Sequence, residues 1–225
     1  MTATARTAGT REPRQERSRL TRERLLRAAI DALASDGWAA ATVAAVAERA
    51  GVSRGAAQHH FPTREDLITA VLEQVFDDMT VAMSAAHREP DLRSLREAGD
   101  DGAGTPSAQG DGVTRRRAAA AVDRAVTLYT GTEFKAALQV WAAAASDPAL
   151  RELILPLEAK FARAAHRFIV GVLDPEGANP NAHRVAQVTL DLARGLGLAD
   201  TLSDDSKRRA QVVATWTELV ARDLG

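Results

Sequence analysis

A chain of 225 residues without a single cysteine cannot form disulfides or Cys-ligated zinc and iron–sulfur centres. Its 45% apolar and 26% charged residues are the ordinary mixture of a globular protein, and the length is ample for a buried core. The net charge of −1 conceals an asymmetry. Residues 1–28 carry eight arginines against Glu12, Glu16 and Glu23, a net of +5, so the other 197 residues sum to −6. A basic front on an acidic body suits a phosphate-binding module joined to a second domain, or equally a solvated charged tail. No apolar run approaches the roughly 18–20 residues of a membrane span, and the arginine-rich start has no secretory pattern. A cytoplasmic protein with no membrane partner is expected.

Residues 1–17 lack apolar periodicity and read as a mobile basic tail. From Ser18 a helix begins, because Leu26, Ala29, Ile30 and Leu33 recur at helical steps on one face until Gly37 ends it. Thr42 is a suitable N-cap for a second helix with Val43, Val46 and Ala47 inward, and Gly51 closes it. Ser53 caps a third helix that must stop before Pro62. Thr63 with Asp66 makes a capping box for a fourth, which Leu67, Val71, Val75 and Met79 carry to about Ser84. The stretch Gly99 to Gly112 is rich in Gly, Asp, Ser and Pro and is expected to be a disordered loop. Further helices are predicted at 114–130, 132–145, 148–173 (Asp147 as N-cap, Pro156 as a kink), 181–200 and 204–223. The expected fold is all-α.

Helices two and three with the turn Ala50-Gly51-Val52-Ser53 have the parts of a helix-turn-helix. Val52, Ala57 and Phe61 can face inward, which leaves Arg54, Gly55, Ala56, Gln58 and His59 outward, with Ser53 and His60 at the ends. Arginine can bridge guanine O6 and N7, glutamine can pair with adenine N6 and N7, and Gly55 and Ala56 let the helix sit deep in a major groove. Thr42 and Arg64 are placed to hold phosphates on either side. Geometry alone leaves open a three-helix packing unit that docks protein, as in an interaction adaptor.

The string Gly37-Trp38, Thr42-Val43, Val46-Ala47, Ala50-Gly51-Val52-Ser53, Gly55, His60-Phe61, Arg64 and Leu67 resembles the N-terminal signature of the TetR family over residues 19–79. Gln58 stands where that family usually has tyrosine or phenylalanine, and Arg64 where lysine is typical. The resemblance implies an N-terminal three-helix DNA-binding domain and a larger C-terminal helical domain, residues 80–225, for ligand binding and dimerisation. It implies a repressor that leaves a pseudo-palindromic double-stranded DNA operator when a small-molecule effector of unknown identity binds. It also implies a homodimer through residues 181–223, where Val185, Val188 and Leu192 face Val212, Val213, Trp216 and Val220 as apolar rows.

An effector pocket is expected around Met83, Phe134, Leu138, Trp141 and Phe168, since ligand sites in helical bundles lie between helices. No catalytic constellation, cofactor or metal site is expected. His59 and His60 are adjacent on a helix and diverge by about 100°, which does not suit a shared metal. His87, His166 and His183 are isolated in sequence, and Gly195-Leu196-Gly197 lies in a helix without a preceding strand, unlike a nucleotide loop.

Overall fold

The computed structural model describes residues 12–86, 106–203 and 205–225, and among them every regular element is helical. The chain runs α1 (Glu12–Asp36), a single 3-10 turn (Trp38–Ala40), α2 (Val43–Arg49), α3 (Arg54–His60) and α4 (Arg64–Ala86). It continues through α5 (Pro106–Leu128), α6 (Gly131–Ser146), α7 (Pro148–Leu173), α8 (Ala182–Asp200) and α9 (Ser206–Leu224). No described helix is long and apolar enough to cross a membrane.

The start signals act as their chemistry demands. Thr42 Oγ accepts from Ala45 N at 3.2 Å and Ser53 Oγ from Ala56 N at 3.3 Å. Thr63 and Asp66 exchange bonds reciprocally: Thr63 N donates to the Asp66 carboxylate and Asp66 N to Thr63 Oγ, both at 3.1 Å. Asp147 caps α7 by accepting from Leu150 N at 3.1 Å. Pro156 lies inside α7, which continues through it as one helix.

Two expectations are corrected. Residues 12–17, taken for tail, are the first turns of α1. Glu16 and Glu23 both pair with Arg19 at helical spacing, and such pairs support a helix whose residues 15–20 are all exposed. Residues 106–112, taken for loop, are the first two turns of α5. Proline is favoured at a first helical position because the N–H it lacks is unbonded there anyway, and the long apolar-faced helix behind it extends over Gly110 and Gly112. The rest of the expected loop, 99–105, lies outside the described residues, as does tail 1–11.

The chain divides into two units. The first comprises residues through Gln74 together with Ala136–Leu153, so it is not continuous in sequence. Its buried residues include Leu25, Leu26, Ala29 and Leu33 of α1, Val46 and Ala47 of α2, Ala57 of α3, and Leu67, Ile68 and Val71 of α4. The second half of α6 belongs to it, and Gln139 there lies against Gly37, where an added Cβ would meet its Oε1 at 3.4 Å. The second unit comprises Val75–Lys135 and Ile154–Gly225, with α5, α8 and α9 packed on one another. There Phe76 stacks on Phe161, and Tyr129 meets Phe134 edge-on with ring centroids 5.5 Å apart.

Candidate nucleic-acid interface

The site is built on a turn whose backbone closes itself. Gly51 sits at φ +61°, its N–H donates to Glu48 O at 3.0 Å, and Val52 N donates to Ala47 O at 2.9 Å. That is the Schellman pattern, and it requires a residue that adopts the left-handed region without strain. Arg24 of α1 reinforces the turn by donating to Ala50 O at 2.6 Å. α3 then leaves at once from the Ser53 cap and ends after seven residues.

Sorting by burial divides α3 cleanly. Ala57 and the following Phe61 are inside, Ala56 and His60 are half-buried, and Ser53, Arg54, Gly55, Gln58 and His59 are exposed, as is Thr42. A Cβ at Gly55 would meet nothing within 4 Å, so that flank of α3 is bare. The His59 and His60 rings sit edge-on at 5.7 Å. Burial, then the nearby charges of His59 and Arg22, hold the His60 imidazole below its ordinary value.

Arg64, expected to grip phosphate, is engaged within the fold. Its Nε donates to Ala41 O at 3.0 Å, its Nη donates to Trp38 O, and the guanidinium lies 3.9 Å from the centre of the Trp38 ring. Burial pulls it below the usual arginine value. The fork thus fastens the 3-10 turn to the start of α4. Arg22 is the residue that sequence reasoning missed: it lies over the Phe61 ring at 5.5 Å, beside the C-terminal end of α3. Arg22 precedes the buried Leu25 and Leu26 by three and four residues, so it lies at the near end of that row on α1, but its own side chain is exposed.

Basic and polar side chains on a short exposed helix, after a tight turn and three-helix support, match the docking element of a helix-turn-helix. Comparison with known proteins agrees. The sequence model described as bacterial regulatory proteins, tetR family, matches residues 25–71. CymR of Pseudomonas putida, an HTH-type transcriptional regulator, is 28% identical over 216 residues, 95% of each chain. Residues 25–71 thus match the TetR family's N-terminal domain, and the chain is similar to a regulator of that type over nearly its whole length. It is accordingly a DNA-binding transcriptional regulator and not an enzyme.

Among solved structures, a transcriptional regulator from Rhodococcus sp. Rha1 is 25% identical with a TM-score of 0.57, covering 91% of this chain and 94% of its own. A transcriptional regulator from Saccharomonospora viridis in complex with choline has a similar fold, at 18% identity and TM-score 0.57, over 89% of this chain and 96% of its own.

Of the residues expected to line an effector pocket, Phe134, Leu138 and Trp141 follow one another at helical steps on α6, Phe168 lies on α7, and the Met83 side chain lies outside the described residues. Phe134 is filled core at 1% exposure, whereas Phe168 is half-buried. The fold brings together two histidines that looked isolated: His166 and His183 stack at 5.3 Å, with His166 Nε2 3.1 Å from His183 O. Among the described residues no three metal-ligating side chains converge.

Proposed function

We propose that this regulator is a TetR-family repressor that holds a pseudo-palindromic operator as a homodimer and releases it when a small molecule binds its C-terminal part. The observation that carries the operator reading is α3 itself, with Ala57 buried and Arg54, Gly55, Gln58 and His59 exposed on a helix of seven residues. On this reading Arg54 bridges a guanine, Gln58 pairs with an adenine, and Gly55 and Ala56 admit thymine methyls. His59 and His60 meet the backbone at one end of α3. Thr42 and Ser53, whose oxygens accept cap bonds, keep a hydroxyl hydrogen to donate to phosphate. Residues 19–79 form the DNA-binding part and 80–225 the regulatory part.

The dimer reading draws support from the outer faces of α8 and α9. Val188, Leu198 and Leu219 are exposed, and Leu192, Val212, Trp216 and Leu219 line an apolar depression of about 320 Å³. Val185 and Val220, expected in the same rows, are instead buried. The choline held by the Saccharomonospora viridis regulator supports a small organic effector here, and Phe168 is its proposed contact in the second unit.

Selection of bound duplexes from a random pool at fixed salt tests the reading. A two-fold symmetric consensus is expected, and Arg54→Ala and Gln58→Ala should each weaken specific binding by about 1–3 kcal/mol while non-specific binding persists. If no sequence were enriched, the operator reading would fail. A compound screen that releases DNA from wild type, and at higher concentration from Phe168→Ala, tests the effector step.

A further inference from the structure

The arginines of the first unit are sorted by what they touch. Arg19 pairs with Glu16 and Glu23, and Arg49 with Asp36 and Ser35. Arg24 donates to Ala50 O, Arg64 to the Trp38 and Ala41 carbonyls, and Arg151 to those of Ala144 and Ala145. Each of these guanidinium groups has a partner within the chain. Among the described residues, Arg22, Arg27 and Arg54 have no carboxylate or carbonyl partner.

The three are not equivalent. Arg27 follows Arg22 by five residues, about 140° further around α1, and borders a groove with Glu23 and Asp31. Arg54 opens α3. Arg22 lies at the opposite end of α3, over Phe61, and its charge is felt by His60. The Phe61 ring is the one contact of the Arg22 guanidinium among the described residues, so its N–H groups remain open to an anion at this corner. A helix seated in a major groove about 12 Å wide has sugar–phosphate backbone on both flanks, so the corner beside the end of α3 faces phosphate.

We propose that Arg22, outside the helix-turn-helix, grips a DNA phosphate at the flank of the groove that α3 enters. This rests on the operator reading above. The contact carries no sequence information: it adds affinity for any duplex, and α1 thereby becomes part of the DNA-binding surface through its exposed side.

Fluorescence anisotropy of a selected duplex and a random duplex across a salt series, with wild type, Arg22→Ala, Arg22→Lys and Arg27→Ala, tests the contact. Wild-type binding of the selected duplex tests the operator reading, and only the Arg22 variants test this contact. Arg22→Ala should lower the slope of log K against log salt by about one, so that the wild-type-to-variant ratio shrinks about threefold between about 50 and 200 mM, alike on both duplexes. Arg22→Lys should keep the wild-type slope, and Arg27→Ala should match wild type. If Arg22→Ala and Arg22→Lys both lost affinity at an unchanged slope, Arg22 would act through the packing of Phe61, and the proposal would be overturned. An Arg22→Ala slope and affinity equal to wild type would overturn it too. A wild type that binds no duplex would overturn this contact and the operator reading together.

Discussion

Arg64 shows how a basic residue next to a proposed DNA surface can belong to the fold. Two carbonyls and an indole face engage its guanidinium, a geometry an ammonium group cannot reproduce. Arg64→Ala should therefore lower unfolding stability by about 1–2 kcal/mol, and Arg64→Lys should restore only part of it. Unchanged melting with a salt slope reduced by about one would instead return Arg64 to the phosphate role. His60 offers a pH test. Its imidazole is held below its ordinary value by burial and by the charges of His59 and Arg22, so the unfolded chain takes up that proton more readily. The contribution of His60 is therefore fully present above about pH 6.5 and is lost as pH falls through its lower folded value. In thermal unfolding, His60→Gln should lose less stability than wild type between about pH 7 and pH 5. Parallel losses in the two proteins would show that other groups dominate.

At the scale of the element, the two glycines of α8 carry opposite expectations. A Cβ at Gly197 would stand 2.0 Å from Tyr129 O and 2.9 Å from Phe134 Cε1, so α8 must approach the end of α5 backbone to backbone. A Cβ at Gly195 would meet nothing within 4 Å. Gly197→Ala should cost about 1–3 kcal/mol, because a carbonyl cannot move aside as a side chain end can. Gly195→Ala should gain about 0.5–1 kcal/mol by restricting the unfolded chain. Chemical denaturation of both variants decides it, and equal signs would refute the packing argument. The same contact gives Gly195-Leu196-Gly197 a structural reason for existing that involves no nucleotide.

For the whole molecule, assembly is the property most open to test. The inner sides of α8 and α9 are covered by their own chain, as the burial of Val185, Leu190 and Val220 shows. Their outer sides leave Val188 at 43% and Leu219 at 44% exposure, an apolar surface that a second copy would bury as a four-helix arrangement. Val188→Asp with Leu219→Asp should shift the sedimenting species from twice 24.0 kDa to 24.0 kDa at micromolar protein. It should also abolish binding to a two-half-site operator more than to a single half-site. A wild type sedimenting as a monomer would remove the basis of the dimer reading.

Local chemistry made much of this protein legible from its residues. Hydroxyl and carboxylate caps at Thr42, Ser53, Thr63 and Asp147, and a glycine closing the turn at 51, depend on neighbours within a few positions, so a linear reading finds them. The helical periods and the helix-turn-helix string follow for the same reason. Tertiary structure alone decided the rest. Whether an arginine serves the fold or is left for a partner depends on carbonyls and rings far along the chain, as Arg24 and Ala50 or Arg64 and Trp38 illustrate. The pairing of His166 with His183, the joining of Ala136–Leu153 to the first unit and the close approach at Gly197 are likewise contacts across long separations. Two elements lengthened for a milder reason: α1 and α5 start in segments poor in apolar residues, where ion pairs and a proline at the first turn extend helices whose stability comes from their buried continuations. Periodicity counts only the residues that are buried, so it reports where a helix packs and not where it begins.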